Sequence, residues 1–139
     1  MLNFHSSTAV MHFMQILVAA FLAILFLQSG IDKIFDWRGN LDFVKDHFAR
    51  SPLARMAAPM FGLLTILELA AGALSAVGCL LIVLQGDTAI ALDGALIAAI
   101  AITALFFGQR VAKDYPGAAM LVSYFLLTLV AIYLLRMTV

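Results

Sequence analysis

The sequence has little of what soluble catalytic and nucleic-acid-binding proteins use. Charged residues make up only 12% of the chain and the formal net charge is zero, so no basic patch indicates a nucleic-acid partner. The single cysteine, Cys79, excludes a disulfide within the chain, a CxxC redox pair and a cysteine metal cluster. The three histidines lie outside the middle of the apolar runs, which argues against a haem held between two of them. We therefore expect no intrinsic cofactor and no metal ligands in this chain.

What the sequence has in excess is apolar surface. Hydrophobic residues make up 65% of the 139 residues and the mean hydropathy is +1.09, whereas a typical soluble domain has about 45–50% apolar residues. Four apolar runs, at about 12–35, 56–84, 89–107 and 117–135, each approach or exceed the roughly 20 residues that cross a bilayer as a helix. Backbone groups that face lipid need internal hydrogen bonds, which favours helices. The predicted fold is a single all-α domain over residues 1–139, an integral membrane four-helix bundle.

Small residues predict how two of these spans pack. Alanine, glycine and serine crowd the second half of the 56–84 run, and alanines recur through the 89–107 run. Inside lipid, close backbone approach through small residues is a main source of helix association. We expect these two spans to form a tight hairpin, joined by the short turn at 85–88.

Lysine and arginine are distributed unequally between the two sides of the predicted bundle. Seven of the eight lie in or beside the loops at 36–55 and 108–116, and only Arg136 lies on the opposite side. Positive charge is retained on the cytoplasmic side of membranes. We expect both loops to be cytoplasmic and both termini to be periplasmic or equivalent.

The first of these loops carries a helical pattern. Leu41, Val44 and Phe48 share one face of a helix predicted at about 39–50, and charged residues fill much of the other face. Trp37 precedes it, and tryptophan favours the membrane interface. The pattern predicts a short amphipathic helix on the membrane surface. A lid over a site between the spans and a dock for a protein partner are the two alternatives.

Glu68 is the most informative polar residue within a span. It lies about 12 residues from the start of the second run, so roughly 18 Å deep by helical rise. A carboxylate at such depth usually faces the bundle interior and marks function. One interpretation is a neutral, hydrogen-bonded link between helices. The other is a proton relay or an anchor for a polar ligand, with Glu68 as the candidate catalytic residue.

Four polar residues close to where the first and fourth spans meet the loops could meet Glu68: Gln28, Ser29, Ser123 and Tyr124. The candidate ligand-binding residues are Gln28, Ser29, Lys33 and Tyr124. Lys33 has the further interpretations of an ordinary cation at the membrane edge, or of a partner for Asp36 or Asp114. Together these side chains predict a cavity that opens towards the cytoplasmic loops.

The same residues resemble a known family. The run Ser29-Gly30-Ile31-Asp32-Lys33, followed by Asp36, is similar to the SGxxK signature that ends the first helix of DoxX-type membrane proteins. The likeness continues with Glu68 near Gly72 and Gly78, and with Gly108-Gln109-Arg110 before the fourth span, so it covers nearly the whole chain. It implies a four-helix protein of the bacterial inner membrane. Some relatives belong to thiosulfate:quinone oxidoreductases, and others are tied to complexes that handle thiols and oxidative stress.

Two classes of function follow. In the first, the chain is a membrane subunit of an oxidoreductase: a quinone enters from lipid and meets Gln28, Glu68 and Tyr124, while a partner supplies the electrons. In the second, it is a non-catalytic scaffold or accessory subunit that recruits membrane or cytoplasmic proteins through its charged loop. The expected partners are the lipid bilayer, other protein subunits and further copies of the chain. A small transporter is a weaker hypothesis, because the four spans show no broken helices or internal repeats.

Overall fold

The computed structural model describes residues 5–137, and in this part of the chain all regular structure is helical. Five α-helices follow one another, and a short 3-10 helix at Ala54–Met56 leads into the third. Their bounds are α1 Ser7–Phe35, α2 Trp37–Phe48, α3 Ala57–Gln85, α4 Ala89–Val111 and α5 Tyr115–Arg136. Four of them, α1, α3, α4 and α5, are long and apolar enough to cross a membrane. The described helices are therefore those of a multi-pass membrane protein.

The predicted spans agree with the observed helices, and the differences occur at polar ends that hydropathy does not mark. The N-terminal end of α1 lies at Ser7, five residues before the predicted start, because the Ser6 hydroxyl accepts a hydrogen bond from the Ala9 amide as an N-cap. Asp114 caps α5 in the same way by accepting from the Gly117 amide. Side-chain capping thus sets these two ends.

The bundle is ordered around α3, which packs between α1 and α4, while α5 packs on α4. The predicted hairpin of α3 and α4 is confirmed. A Cβ built on Gly78 would overlap Ala91, and one built on Gly94 would lie 2.7 Å from the Ser75 hydroxyl oxygen. Gly86 ends α3 with φ 71°, a left-handed conformation that glycine adopts without strain. Small residues therefore let the two backbones come together.

The far end of the bundle is closed by a buried amide. Gln15 of α1 is 1% exposed, and its Nε2 donates to the carbonyl oxygens of Leu134 at 2.8 Å and Met137 at 3.1 Å. The last carbonyls of a helix have no partners within the helix. Gln15 supplies them with partners and ties α1 to the end of α5.

The helix predicted at 39–50 is observed as α2, two residues earlier at each end. None of its residues is buried. It is held at both ends: the Trp37 ring packs on Phe61 of α3 with centroids 4.7 Å apart, and His47 contacts Gln109 near the end of α4. This short helix thus lies across one end of α3 and α4 without entering the core.

Candidate functional site

A lysine, a serine and a glutamate meet where α1 crosses α3. The Lys33 ammonium lies 2.8 Å from Glu68 Oε2 and donates to the Ser29 hydroxyl at 2.9 Å. The Ser29 hydroxyl donates to Glu68 Oε1 at 3.2 Å. The Lys33 side chain is 20% exposed and that of Glu68 only 3%. The carboxylate therefore depends on these two partners, whereas the ammonium still reaches the surface.

Two glycines bring the cluster together. A Cβ on Gly30 of α1 would lie 2.6 Å from Leu69 Cδ2, and a Cβ on Gly72 of α3 would lie 2.6 Å from the Leu27 backbone nitrogen. Because each glycine has no side chain at the point where the other helix crosses, the two backbones can come this close. Because the serine and lysine lie four residues apart, they share the face of α1 that this close approach turns towards Glu68.

Behind the cluster lies a small inner cavity of about 110 Å³. Ser29, Glu68 and the half-buried Tyr124 supply its polar groups, and apolar side chains from α1, α4 and α5 complete the wall. Three polar side chains around such a space satisfy the usual requirement for an ordered water. The inner cavity can therefore hold water or a small polar group beside the Glu68 carboxylate.

In front of the cluster lies a larger outer cavity of about 240 Å³, bounded by α2, α3 and α4. Lys33 lines it, whereas Ser29 and Glu68 line the inner cavity, so the cluster contributes to both walls, as does Leu105. The outer cavity is mainly apolar, with aromatic side chains from α2 and α3 and polar groups at a few points. Apolar walls with a few convergent polar groups are typical of sites for small organic ligands.

Four of the five predicted site residues come together here. Ser29, Lys33 and Glu68 form the cluster, and Tyr124 lines the inner cavity. Gln28 does not join them, because it is exposed and lines neither cavity. Successive helix residues point about 100° apart, so the turn of α1 that directs Ser29 inwards directs Gln28 outwards.

Sequence reasoning missed a second polar group on the outer cavity. The Nε2 atom of His47 lies 2.8 Å from Gln109 Oε1 and 3.5 Å from Asp114 Oδ2. His47 follows Val44 by three residues and therefore lies on the inner face of α2. That spacing was the signal in the sequence. The partners lie far along the chain: Gln109 near the end of α4 and Asp114 at the start of α5.

The chemistry of the site has to be inferred from its own geometry. Searches against protein-family models, curated proteins and solved structures found no match. Within residues 5–137, no group of three or more His, Cys, Asp and Glu side chains is arranged to hold a metal ion. The arrangement offers a buried carboxylate, an ammonium and two hydroxyls beside apolar space, which suits hydrogen bonding and proton transfer to an organic ligand.

Proposed function

We propose that this protein is a DoxX-like membrane subunit of a quinone-linked oxidoreductase in a bacterial inner membrane. The observation that carries the proposal is the ion pair of Lys33 and the buried Glu68, in which Lys33 lines the outer cavity and Glu68 lines the smaller inner one. Intramembrane carboxylates with a polar partner commonly serve proton relays. A lipid-soluble ligand that gains or loses protons is therefore the ligand class that this pair suits best.

The proposed chemistry divides the work between the chain and a partner. Reduction of a quinone to a quinol takes up two electrons and two protons. A partner subunit with a flavin, iron–sulfur or haem centre supplies the electrons. Glu68 passes protons between the inner cavity and the ligand, and Lys33 and Ser29 orient its carboxylate.

The proposed orientation places α2 on the cytoplasmic surface. Its outward face carries exposed charges, and Trp37 lies at its start beside α3. Amphipathic helices with this composition bind at the interface between lipid headgroups and water. In this position α2 covers the outer cavity at the level where a quinone headgroup enters from the bilayer.

Replacement of Glu68 by glutamine should abolish quinone-dependent turnover in the complex purified in mild detergent. The amide keeps the side-chain volume and still accepts a hydrogen bond from Ser29, but it cannot carry a proton. The assay follows reduction of a short-chain ubiquinone, with thiosulfate as the donor that the family resemblance suggests. Loss of a general acid–base group costs about 10²–10⁴-fold in rate.

Asp93→Asn is the matched control for this experiment. Asp93 is a second carboxylate on a membrane-length helix, but it is exposed and lines neither cavity. We expect its turnover to equal that of the wild type. Unchanged turnover in an assembled Glu68→Gln complex would refute the redox role of Glu68.

A scaffold or accessory role is the second candidate, and the exposed charges of α2 favour it. Arg38 and Lys45 of α2, and Arg50 in the turn that follows it, are all exposed. In this role the cluster of Ser29, Lys33 and Glu68 only joins α1 to α3. The charged surface then recruits a cytoplasmic or membrane protein.

Under the scaffold hypothesis, the triple change R38E/K45E/R50E should release a protein that co-purifies with the wild type. Reversing three charges repels an acidic partner surface and slows its association. Quantitative pull-down in mild detergent measures the loss, and Arg136→Glu at the opposite end of the bundle is the control. Retention of every co-purifying protein by the triple variant would exclude α2 as the recruiting surface.

A further inference from the structure

The outer cavity exists because α2 does not pack fully against the bundle. The inner side of α2 faces the cavity through Val44, His47 and Phe48, yet none of its residues is buried. A protein interior is normally close-packed, and a space of about 240 Å³ forfeits many contacts. Because α2 lines this space and does not fill it, the space can accommodate a ligand.

Lys33 presents a donor to this cavity. An ammonium has three N–H groups. The Lys33 ammonium donates to the Ser29 hydroxyl at 2.9 Å and forms an ion pair with Glu68 Oε2 at 2.8 Å. The remaining contact, to the Ser29 carbonyl oxygen, is long at 3.4 Å. A ligand oxygen in the outer cavity can replace this weak contact without disturbing the ion pair.

His47 supplies a second polar group, from α2. Its Nε2 atom contacts Gln109 Oε1 at 2.8 Å, an arrangement in which the ring donates and the amide oxygen accepts. The other ring nitrogen then accepts a hydrogen bond when the ring is neutral and donates one when it is charged. The imidazole is held between aromatic rings, parallel to Phe43 at 5.6 Å and edge-on to Phe48 at 5.2 Å.

From these contacts we infer that the outer cavity binds the ring of a lipid-soluble quinone, between α2, α3 and α4, with Lys33 and His47 as its two polar contacts. A flat ring with oxygens on opposite edges can contact two polar groups on different helices, and the aromatic side chains Phe43, Phe48 and Phe61 line the same cavity. An imidazole that can accept or donate serves both the quinone oxygen and the quinol hydroxyl. This inference rests on the proposed function and adds to it the place of binding and the role of His47.

The test uses the single tryptophan of the chain. The Trp37 ring packs 4.7 Å from that of Phe61, which lines the outer cavity, so a bound quinone quenches its fluorescence. The probe is decylubiquinone, titrated into the full-length protein in nanodiscs of phosphatidylcholine and phosphatidylglycerol. Tryptophan octyl ester in the same nanodiscs is the control, because its quenching measures the non-saturating effect of quinone dissolved in the lipid. We expect an additional saturable component from the wild-type protein.

Two substitutions fill the cavity from different walls, and one matched variant does not. Ala104→Phe adds bulk from α4 and Val44→Phe from α2, and both should abolish the saturable component. Thr103→Phe adds the same ring at the neighbouring residue, which is exposed and lines neither cavity, and should bind as the wild type does. His47→Leu should weaken binding by about tenfold, the effect of one lost hydrogen bond in an apolar site.

The outcomes separate this inference from the proposed function. Saturable quenching that persists in both Ala104→Phe and Val44→Phe, or its absence from the wild type, would overturn the outer cavity as the quinone site. Turnover lost in Glu68→Gln would still support the redox role in that case. The opposite combination is also informative. If the cavity-filling variants abolish saturable quenching but turnover is unchanged in Glu68→Gln, the binding site is supported and the redox role of Glu68 is refuted.

Discussion

Replacing Gly72 by alanine should destabilise the protein and separate α1 from α3. The new Cβ would lie 2.6 Å from the backbone nitrogen of Leu27, and a backbone atom within a helix cannot move aside as a flexible side chain can. Overpacking of this kind costs about 1–3 kcal/mol, and occasionally more. Thermal unfolding in detergent, followed as the fraction that stays monodisperse, measures the loss.

Gly62→Ala is the control, because it makes the same chemical change in the same helix. A Cβ at Gly62 would meet only the edge of the Trp37 ring, at 3.9 Å, which is an ordinary contact. Alanine is favoured over glycine within a helix by about 0.8–1.0 kcal/mol. The two variants should therefore differ in sign, with Gly62→Ala neutral to stabilising. Equal melting temperatures for the two variants would contradict the close approach of α1 and α3.

The fold was largely predictable because hydropathy and side-chain volume act locally. Each apolar run had the length of a membrane span, and each became a helix with similar bounds. The small residues of the second and third runs likewise predicted the hairpin that Gly78 and Gly94 now form. These features depend on residue type and spacing alone, so they needed no knowledge of how distant segments meet.

The site was predictable only in part, because its geometry depends on the rotation of α1. Ser29 and Glu68 were expected to meet, and they do. Lys33 was given other partners or none, although its spacing of four residues from Ser29 places it on the same face. Gln28 was expected to face inwards on depth alone. The depth of a residue in the membrane does not determine how its helix is rotated about its own axis. The glycines that determine the rotation of α1 act through contacts with another helix.

The contacts of α2 show where sequence reasoning stops. The spacing of its apolar residues predicted the helix, and Val44 and Phe48 of that pattern form its inner face. The partners of His47 could not be predicted from the sequence, since Gln109 and Asp114 come close to it only once α3 and α4 have packed together. A contact between residues more than sixty positions apart produces no local sequence pattern from which it could be predicted.

Lys33→Met should be much more destabilising than Glu68→Gln, although each removes one side of the same ion pair. In Lys33→Met the Glu68 carboxylate, only 3% exposed, loses its counter-ion. Removing one partner of a buried pair costs about 3–5 kcal/mol. In Glu68→Gln the lysine, 20% exposed, can extend towards the surface, and the amide oxygen still accepts hydrogen bonds. Thermal unfolding in detergent should rank the variants in that order.

The double variant K33M/E68Q isolates the cause of this difference. If an unpaired buried carboxylate is what destabilises Lys33→Met, then neutralising it should recover most of the lost stability. A double-mutant cycle over residues in direct contact should then show a coupling free energy at the upper end of the range for such pairs, about 3 kcal/mol. Lys45→Met, at an exposed lysine on α2, controls for loss of a cation and should leave the melting temperature unchanged. Additive effects in the cycle would mean that Lys33 stabilises the bundle through its aliphatic chain, and that its 2.8 Å contact with Glu68 contributes nothing to folding.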